Sequence, residues 1–106
     1  MNTSEPTVDE VPLSERSYGA ATRDDSVFVR VAVAGHIVGV QLEPAAMQRP
    51  ADELAARIMA CADVAAIRGQ VELRKQWEIA GEWDVAVQAF PSDEELAAAE
   101  RRLQEL

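Results

Sequence analysis

Hydrophobic and polar residues alternate along residues 26–42, and this alternation predicts two β-strands. Valine recurs at every second position from residue 27 to residue 33, and side chains two residues apart lie on the same face of a strand. A second β-branched run begins at Ile37. The intervening Gly35-His36 suits a two-residue type II′ turn, which needs a positive φ at its first position. Residues 26–42 are therefore expected to form an antiparallel β-hairpin with one buried face.

The hydrophobic period changes after residue 50, and the new spacing predicts a long helix. One helical face carries a stripe of apolar side chains three or four residues apart; it comprises Leu54, Ile58, Cys61 and Ala65. Pro50 suits the first helical turn, and Gly81 is expected to mark the end. Gly69 lies in the interior, where glycine costs up to ~1 kcal/mol relative to alanine, so a bend or a close contact is expected there. The stripe should cover the apolar face of the hairpin.

These patterns divide the chain into three segments. Residues 1–22 are predicted to be an acidic, disordered N-terminal segment, with a short edge strand around Tyr18 as the alternative. Residues 23–80 are predicted to form the hairpin-and-helix core. Residues 81–106 are predicted to be an apolar linker and a C-terminal helix, in which Ser92 and Glu95 have the spacing of a capping box. The predicted fold class is α+β, with a small antiparallel sheet packed on a long helix and a short C-terminal helix.

Charge is distributed unevenly along the chain. The net charge is −9, yet residues 26–80 carry six acidic and six basic side chains, so the acidity lies in the two ends. A uniformly basic nucleic-acid footprint is therefore absent. Acidic ends are typical of solvated tails, and they can also dock on a basic partner.

Residue types that carry chemistry are scarce. The single cysteine, Cys61, excludes an intramolecular disulfide and lies on the apolar stripe, while the single histidine, His36, lies in the predicted turn. We therefore predict no catalytic site, no metal and no cofactor. No apolar stretch approaches the ~20 residues needed to span a bilayer, and the polar, acidic N-terminus lacks the apolar core of a signal peptide. A cytoplasmic protein without membrane association is predicted.

The size of the predicted core favours a homodimer. A core of roughly 60 residues buries little apolar surface, and an isolated hairpin is marginal in water. A second copy is expected to complete the packing.

Part of the chain resembles the YbaB/EbfC family. The resemblance lies in Val29–Pro44, with its amphipathic strand, glycine turn and second strand ending in Glu-Pro, and in the helix that opens at residues 50–58. It implies a dimeric fold of strands and helices and sequence-tolerant DNA binding at the nucleoid. Under that alternative, which the net charge disfavours, the candidate phosphate contacts are Arg30, Arg49, Arg57, Arg68, Arg74 and Lys75.

A second resemblance extends to the C-terminus. The closing Pro91-Ser-Asp-Glu-Glu-Leu-Ala-Ala-Ala-Glu100 is similar to the Esp accessory proteins (EspD and EspH type) of actinobacterial type VII secretion. This resemblance implies a non-enzymatic protein that supports the stability or export of secretion substrates, and an accessory binding role of this kind is the leading functional hypothesis. The candidate partner-binding residues are Trp77, Trp83, Phe90, Leu96 and Leu103.

Overall fold

The computed structural model describes residues 11–106, which form a three-stranded antiparallel sheet followed by three helices. The strands are β1 (Ser17–Ala21), β2 (Val27–Ala32) and β3 (Ile37–Leu42). The helices are α1 (Ala51–Ile79), α2 (Trp83–Ala89) and α3 (Asp93–Gln104). Short 3-10 turns occupy Leu13–Glu15 and Ala46–Gln48. The predicted α+β class, with a small antiparallel sheet on a long helix and a C-terminal helix, is confirmed.

The predicted hairpin is present, but its turn is longer than expected. Val27, Val29 and Val31 of the central strand β2 are at most 3% exposed, which confirms the buried face. The loop has three residues between the closing positions, because the N–H of Ala32 donates to the carbonyl of His36. The predicted two-residue turn is therefore wrong. Gly35, with φ of 111°, follows a β-turn, as in three-residue hairpin loops.

The N-terminal boundary of the core lies earlier than predicted. Residues 17–21 form β1, which pairs antiparallel with β2 and places Tyr18 opposite Val31. The prediction of a disordered segment up to residue 22 is wrong for this part of the chain, and the alternative of an edge strand around Tyr18 is confirmed. Ala20 is only 3% exposed, so burial against the core stabilises a strand made mostly of small residues. Residues 1–10 of that segment lie outside the described residues.

Helix α1 packs across β1 and β2 and leaves β3 largely uncovered. An α-helix is about 10 Å wide and neighbouring strands are about 4.8 Å apart, so one helix covers about two strands. Cys61, Val64 and Ala65 of α1 are at most 1% exposed, as the apolar stripe predicts. A Cβ atom on Gly69 would lie 3.4 Å from Cγ2 of Val33. Helix α1 therefore comes close to the segment that follows β2 at this glycine.

The C-terminal quarter is more regular than predicted. The segment expected to be an apolar linker contains α2, which folds back on α1 and buries Ala86 completely. The predicted capping box is confirmed, because the hydroxyl of Ser92 accepts from the N–H of Glu95 at 3.1 Å and the Glu95 carboxylate accepts from the N–H of Ser92 at 3.3 Å. Helix α3 then packs on α1 through Ala99 and Leu103.

The resulting molecule is flat and open. Its principal extents are 47 × 44 × 19 Å, and its radius of gyration is 15.8 Å. A compact chain of about 100 residues has a radius of gyration of about 13 Å. Large apolar side chains consequently stay at the surface instead of entering a single core.

Candidate protein-binding surfaces

Four exposed apolar side chains lie near the junction of α1 and α2, and we call this region the aromatic corner. Its members are Trp77, Ile79, Trp83 and Val87, which are 40%, 79%, 60% and 72% exposed, respectively. Exposed tryptophan is enriched among residues that dominate protein interfaces, so this region is a candidate interaction site.

The local backbone explains why these side chains face outward. Gly81, with φ of 85°, lets the chain reverse, and the N–H of Glu82 donates to the carbonyl of Trp77 at 2.9 Å. Helix α2 then buries Ala86. Trp83 and Val87, one helical turn apart on α2, are left exposed to solvent.

An open groove of about 530 Å³ adjoins this corner. Val87 and Phe90 provide its apolar part. Its remaining lining is mostly acidic, and the charged residues there are Arg74, Glu78, Asp93, Glu94 and Glu95. The corner thus combines exposed aromatic surface with neighbouring negative charge, which suits a partner with apolar anchors and basic flanking residues.

A second apolar surface lies along β3, and we call it the β3 edge. It consists of Ile37, Val38 and Val40, which are 50%, 49% and 43% exposed. Val40 is paired with the buried Val29, so its side chain lies on the sheet face that carries α1. It remains exposed because α1 covers β1 and β2 instead.

The predicted partner-binding residues separate into surface and core positions. Trp77 and Trp83 are exposed in the aromatic corner, and the half-buried Phe90 lines the adjacent groove. Leu103, in contrast, is only 3% exposed, and Leu96 packs against the core cluster. The prediction of a partner contact is therefore wrong for Leu103, whose side chain holds α3 on the core. The spacing of the leucines along α3 could not separate these two roles.

The predicted phosphate contacts are engaged within the protein. Arg30 stacks over the Phe28 ring at 5.5 Å and donates to Ser17. The others contact acidic side chains: Arg49 with Asp24 at 3.3 Å, Arg57 with Glu53 at 3.9 Å, Arg68 with Glu100 at 2.8 Å, Arg74 with Asp93 at 3.0 Å and Lys75 with Glu72 at 3.3 Å. Nearby carboxylates therefore offset much of the positive charge that a DNA surface would need.

The two residues with catalytic potential, Cys61 and His36, lie in different environments. Cys61 is fully buried under β2, with its Sγ 3.8 Å from the carbonyl oxygen of Val27. Burial raises the pKa of the Cys61 thiol to about 11. His36 is exposed in the hairpin loop. Within residues 11–106, no three side chains of the histidine, cysteine, aspartate or glutamate type gather as potential metal ligands.

Asp24 has a structural role in the loop between β1 and β2. Its Oδ1 accepts hydrogen bonds from the hydroxyl of Ser26 at 2.8 Å, the N–H of Ser26 at 3.0 Å and the hydroxyl of Thr22 at 2.8 Å. These bonds, led by those of Ser26, hold the pKa of the Asp24 carboxyl well below its usual range. The lowered pKa of the Asp24 carboxyl therefore reflects its structural role in closing this loop.

None of the helices in the described part of the chain combines the length and apolarity that a bilayer span requires.

Comparison with known proteins places these elements in one family. The matching family model covers residues 12–105 and is described as a protein of unknown function (DUF2694). No curated protein and no solved structure matches the chain. The matched residues extend from the 3-10 turn before β1 to the end of α3. The chain therefore belongs to the DUF2694 family.

Proposed function

We propose that this protein is a non-catalytic binding protein that acts in the cytoplasm as an accessory factor of actinobacterial type VII secretion. The observation that carries the binding role is the aromatic corner, where Trp83 is 60% exposed on a helix that buries Ala86 against α1. Tryptophan is enriched among the residues that dominate binding energy at protein interfaces. Because α2 packs on α1 and buries Ala86, the corner has a defined position on the fold.

The acidic groove beside the corner adds selectivity to this proposal. Glu78 and Glu94 line it together with Phe90. Complementary charge steers association and excludes wrong partners more than it raises affinity. A partner that inserts an apolar side chain next to lysine or arginine residues fits this surface.

The secretion context is supported by the resemblance of Pro91–Glu100 to the Esp proteins. Several polar side chains in this segment have structural roles: Ser92 and Glu95 cap α3, Asp93 pairs with Arg74, and Glu100 pairs with Arg68. The resemblance to the Esp proteins is therefore proposed to reflect a similar packing of α3 on α1. Contacts with a partner are proposed to lie outside this segment, at the aromatic corner.

A homodimer is part of the proposal. The molecule is one sheet and one helical layer thick, and its radius of gyration exceeds that of a compact chain of this length. The exposed apolar side chains at the β3 edge are what a second copy would cover. A YbaB-like dimeric architecture is proposed on this basis.

Nucleoid-type DNA binding stays an alternative prediction, and the described ion pairs do not favour it. A labelled duplex titrated at ~20 mM salt tests it, because phosphate contacts are strongest at low salt. Binding that weakens steeply with added salt would support this alternative over the secretion role.

The secretion role is tested by co-purification from native lysate. Wild type, Trp83→Ser and Met47→Ser are compared for capture of type VII secretion components. Met47 is a matched control, since it is 63% exposed but lies in the turn before α1, away from the corner. We expect wild type and Met47→Ser to capture such a component and Trp83→Ser to lose most of it. Absence of any secretion component, or equal capture by Trp83→Ser, would refute the proposal.

A further inference from the structure

We infer that β3 pairs with β3 of a second copy of this chain, antiparallel about a two-fold axis at Val40, so that two sheets join into one of six strands. The inference rests on the proposed homodimer and specifies its interface. It starts from the asymmetry between the two edges of the sheet, where β1 and β3 each lie beside β2 on one side only.

Hydrogen-bond alternation identifies the free groups of β3. The N–H of Glu43 donates to the carbonyl of Ser26 at 2.9 Å. In an antiparallel pair, residues that bond to the neighbouring strand alternate with residues that do not. Gln41 and Gly39 therefore face β2, and the backbone groups of Leu42 and Val40 face the open edge. The alternation ends at Val38, where the register between β2 and β3 is irregular. The groups of Leu42 and Val40 would form the ladder with a second strand.

The opposite edge of the sheet is closed by arginine side chains. The same alternation leaves the carbonyls of Ser17 and Gly19 on the outer side of β1. Arg30 donates to the Ser17 carbonyl at 3.3 Å, and Arg68 donates to the Gly19 carbonyl. Within the described part of the chain, no side-chain hydrogen bond of this kind reaches Val38, Val40 or Leu42. Charged side chains are a common means of protecting a strand edge from pairing, and here they protect only one edge.

The side chains of β3 make the open edge apolar on the face that carries α1. Val40 and Leu42 are paired with Val29 and Val27, and an irregularity in the register places Ile37 opposite Val31. These β3 side chains therefore share the face of the buried valines. Since α1 stops short of β3, a β3 strand from a second copy would lie beside this row and cover part of it with an identical row.

Charge and symmetry favour a second copy over an unrelated partner. The segment from Ile37 to Leu42 contains no charged residue, so it can face itself without the like-charge contacts that destabilise cross-strand pairs. An axis at Val40 sets Val40 against itself and Val38 against Leu42. A head-to-tail contact between β3 and β1 would build an open filament, but arginine side chains occupy the β1 edge and oppose that contact. Pairing of β3 with β3 instead gives a closed dimer.

The test uses charge at the self-facing position of the full-length chain. Wild type, Val40→Lys, Val40→Glu and their equimolar mixture are compared by sedimentation velocity at up to about 100 µM, because a strand edge is a small interface. Val40 is 43% exposed, so a charged side chain there can reach water, and circular dichroism checks that each variant folds. Val87→Lys is the matched control, since it adds the same charge in place of an exposed valine of the aromatic corner.

The two-fold axis dictates the expected pattern. Each single variant opposes like charges and should dimerise about tenfold more weakly or worse. The mixture opposes lysine to glutamate and should recover the dimer, and Val87→Lys should match wild type. In wild type, the amides of Val40 and Leu42 should exchange hydrogen more slowly as concentration rises, which tests the ladder even if a variant fails to fold.

Three results would overturn the inference. If Val40→Lys dimerises as well as wild type, the homodimer stands but uses another surface. If the single variants are monomeric and the mixture stays monomeric, Val40 does not face itself. If wild type is monomeric throughout, both the homodimer and the β3 pairing fail, while partner binding at the aromatic corner is judged separately by the Trp83→Ser comparison.

Discussion

Replacement of Arg74 by methionine should cost this small protein a large part of its stability. Arg74 is 8% exposed on α1. Its guanidinium donates to the carbonyl of Pro91 at 2.9 Å and to the carboxylate of Asp93 at 3.0 Å, and its Nε lies 3.2 Å from the carboxylate of Glu78. The hydrogen bond to Asp93, followed by nearby carboxylate charge, raises the pKa of Arg74. This side chain therefore joins α1 to the start of α3.

The magnitude follows from burial of the partners. Removing one member of a buried ion pair costs about 3–5 kcal/mol, but the side chain of Asp93 is 75% exposed and that of Glu78 is 26% exposed. Water can take over much of the carboxylate solvation, whereas the Pro91 carbonyl loses its donor. We expect the free energy of unfolding to fall by about 2–3 kcal/mol. For a domain of this size, the melting temperature should then fall by about 10–20 °C.

The assay is urea denaturation, which compares the free energies of unfolding of wild type, Arg74→Met and Lys75→Met. Lys75 is a matched control, because it is the next residue on α1, is exposed and contacts Glu72 at 3.3 Å. Exposed pairs of this kind are worth under about 1 kcal/mol, so Lys75→Met should be nearly neutral. Equal stability losses in the two variants would refute the role assigned to Arg74. Arg74→Lys, which keeps the charge but not the two-sided donor geometry, should fall in between.

Three further predictions address local features. Gly69→Ala should raise the free energy of unfolding by up to ~1 kcal/mol, since its Cβ would be 3.4 Å from Val33, and Gly69→Leu should lower it; urea denaturation measures both, and a destabilising alanine would contradict the spacing. The folded-state pKa of Asp24 is depressed from 3.8, so its stabilisation is present above pH 3.8 and is lost as the pH falls through the folded pKa. Melting of Asp24→Asn should therefore lie below wild type at pH 7 and converge with it in acid, and a gap unchanged by pH would argue against this carboxylate. Cys61 should react slowly with a thiol reagent at neutral pH and quickly after unfolding, because it is 0% exposed; rapid labelling of the native protein would show that the core opens there.

Local patterns were sufficient to predict much of the fold. Alternation of valines identified β2, and helical spacing identified the buried stripe of α1 around Cys61. The capping box of Ser92 and Glu95 identified the start of α3. Each of these features depends on residues at most four positions apart, so the sequence displays the interacting groups side by side. The β1 strand was harder to predict, because its small residues have weak strand preference and depend on pairing with β2.

The candidate surfaces depended on contacts that are distant in sequence. Arg68 reaches a carbonyl 49 residues away, and Arg74 reaches a carboxylate 19 residues away, so the arginines that looked available for phosphates form internal ties instead. Leu103 entered the core because α3 folds back on α1. The sequence by itself determined the hairpin strands β2 and β3, the long helix α1 and the capped helix α3. Only the tertiary structure decided which apolar residues stay exposed, because one helix about 10 Å wide spans about two strands spaced about 4.8 Å apart and leaves the third uncovered.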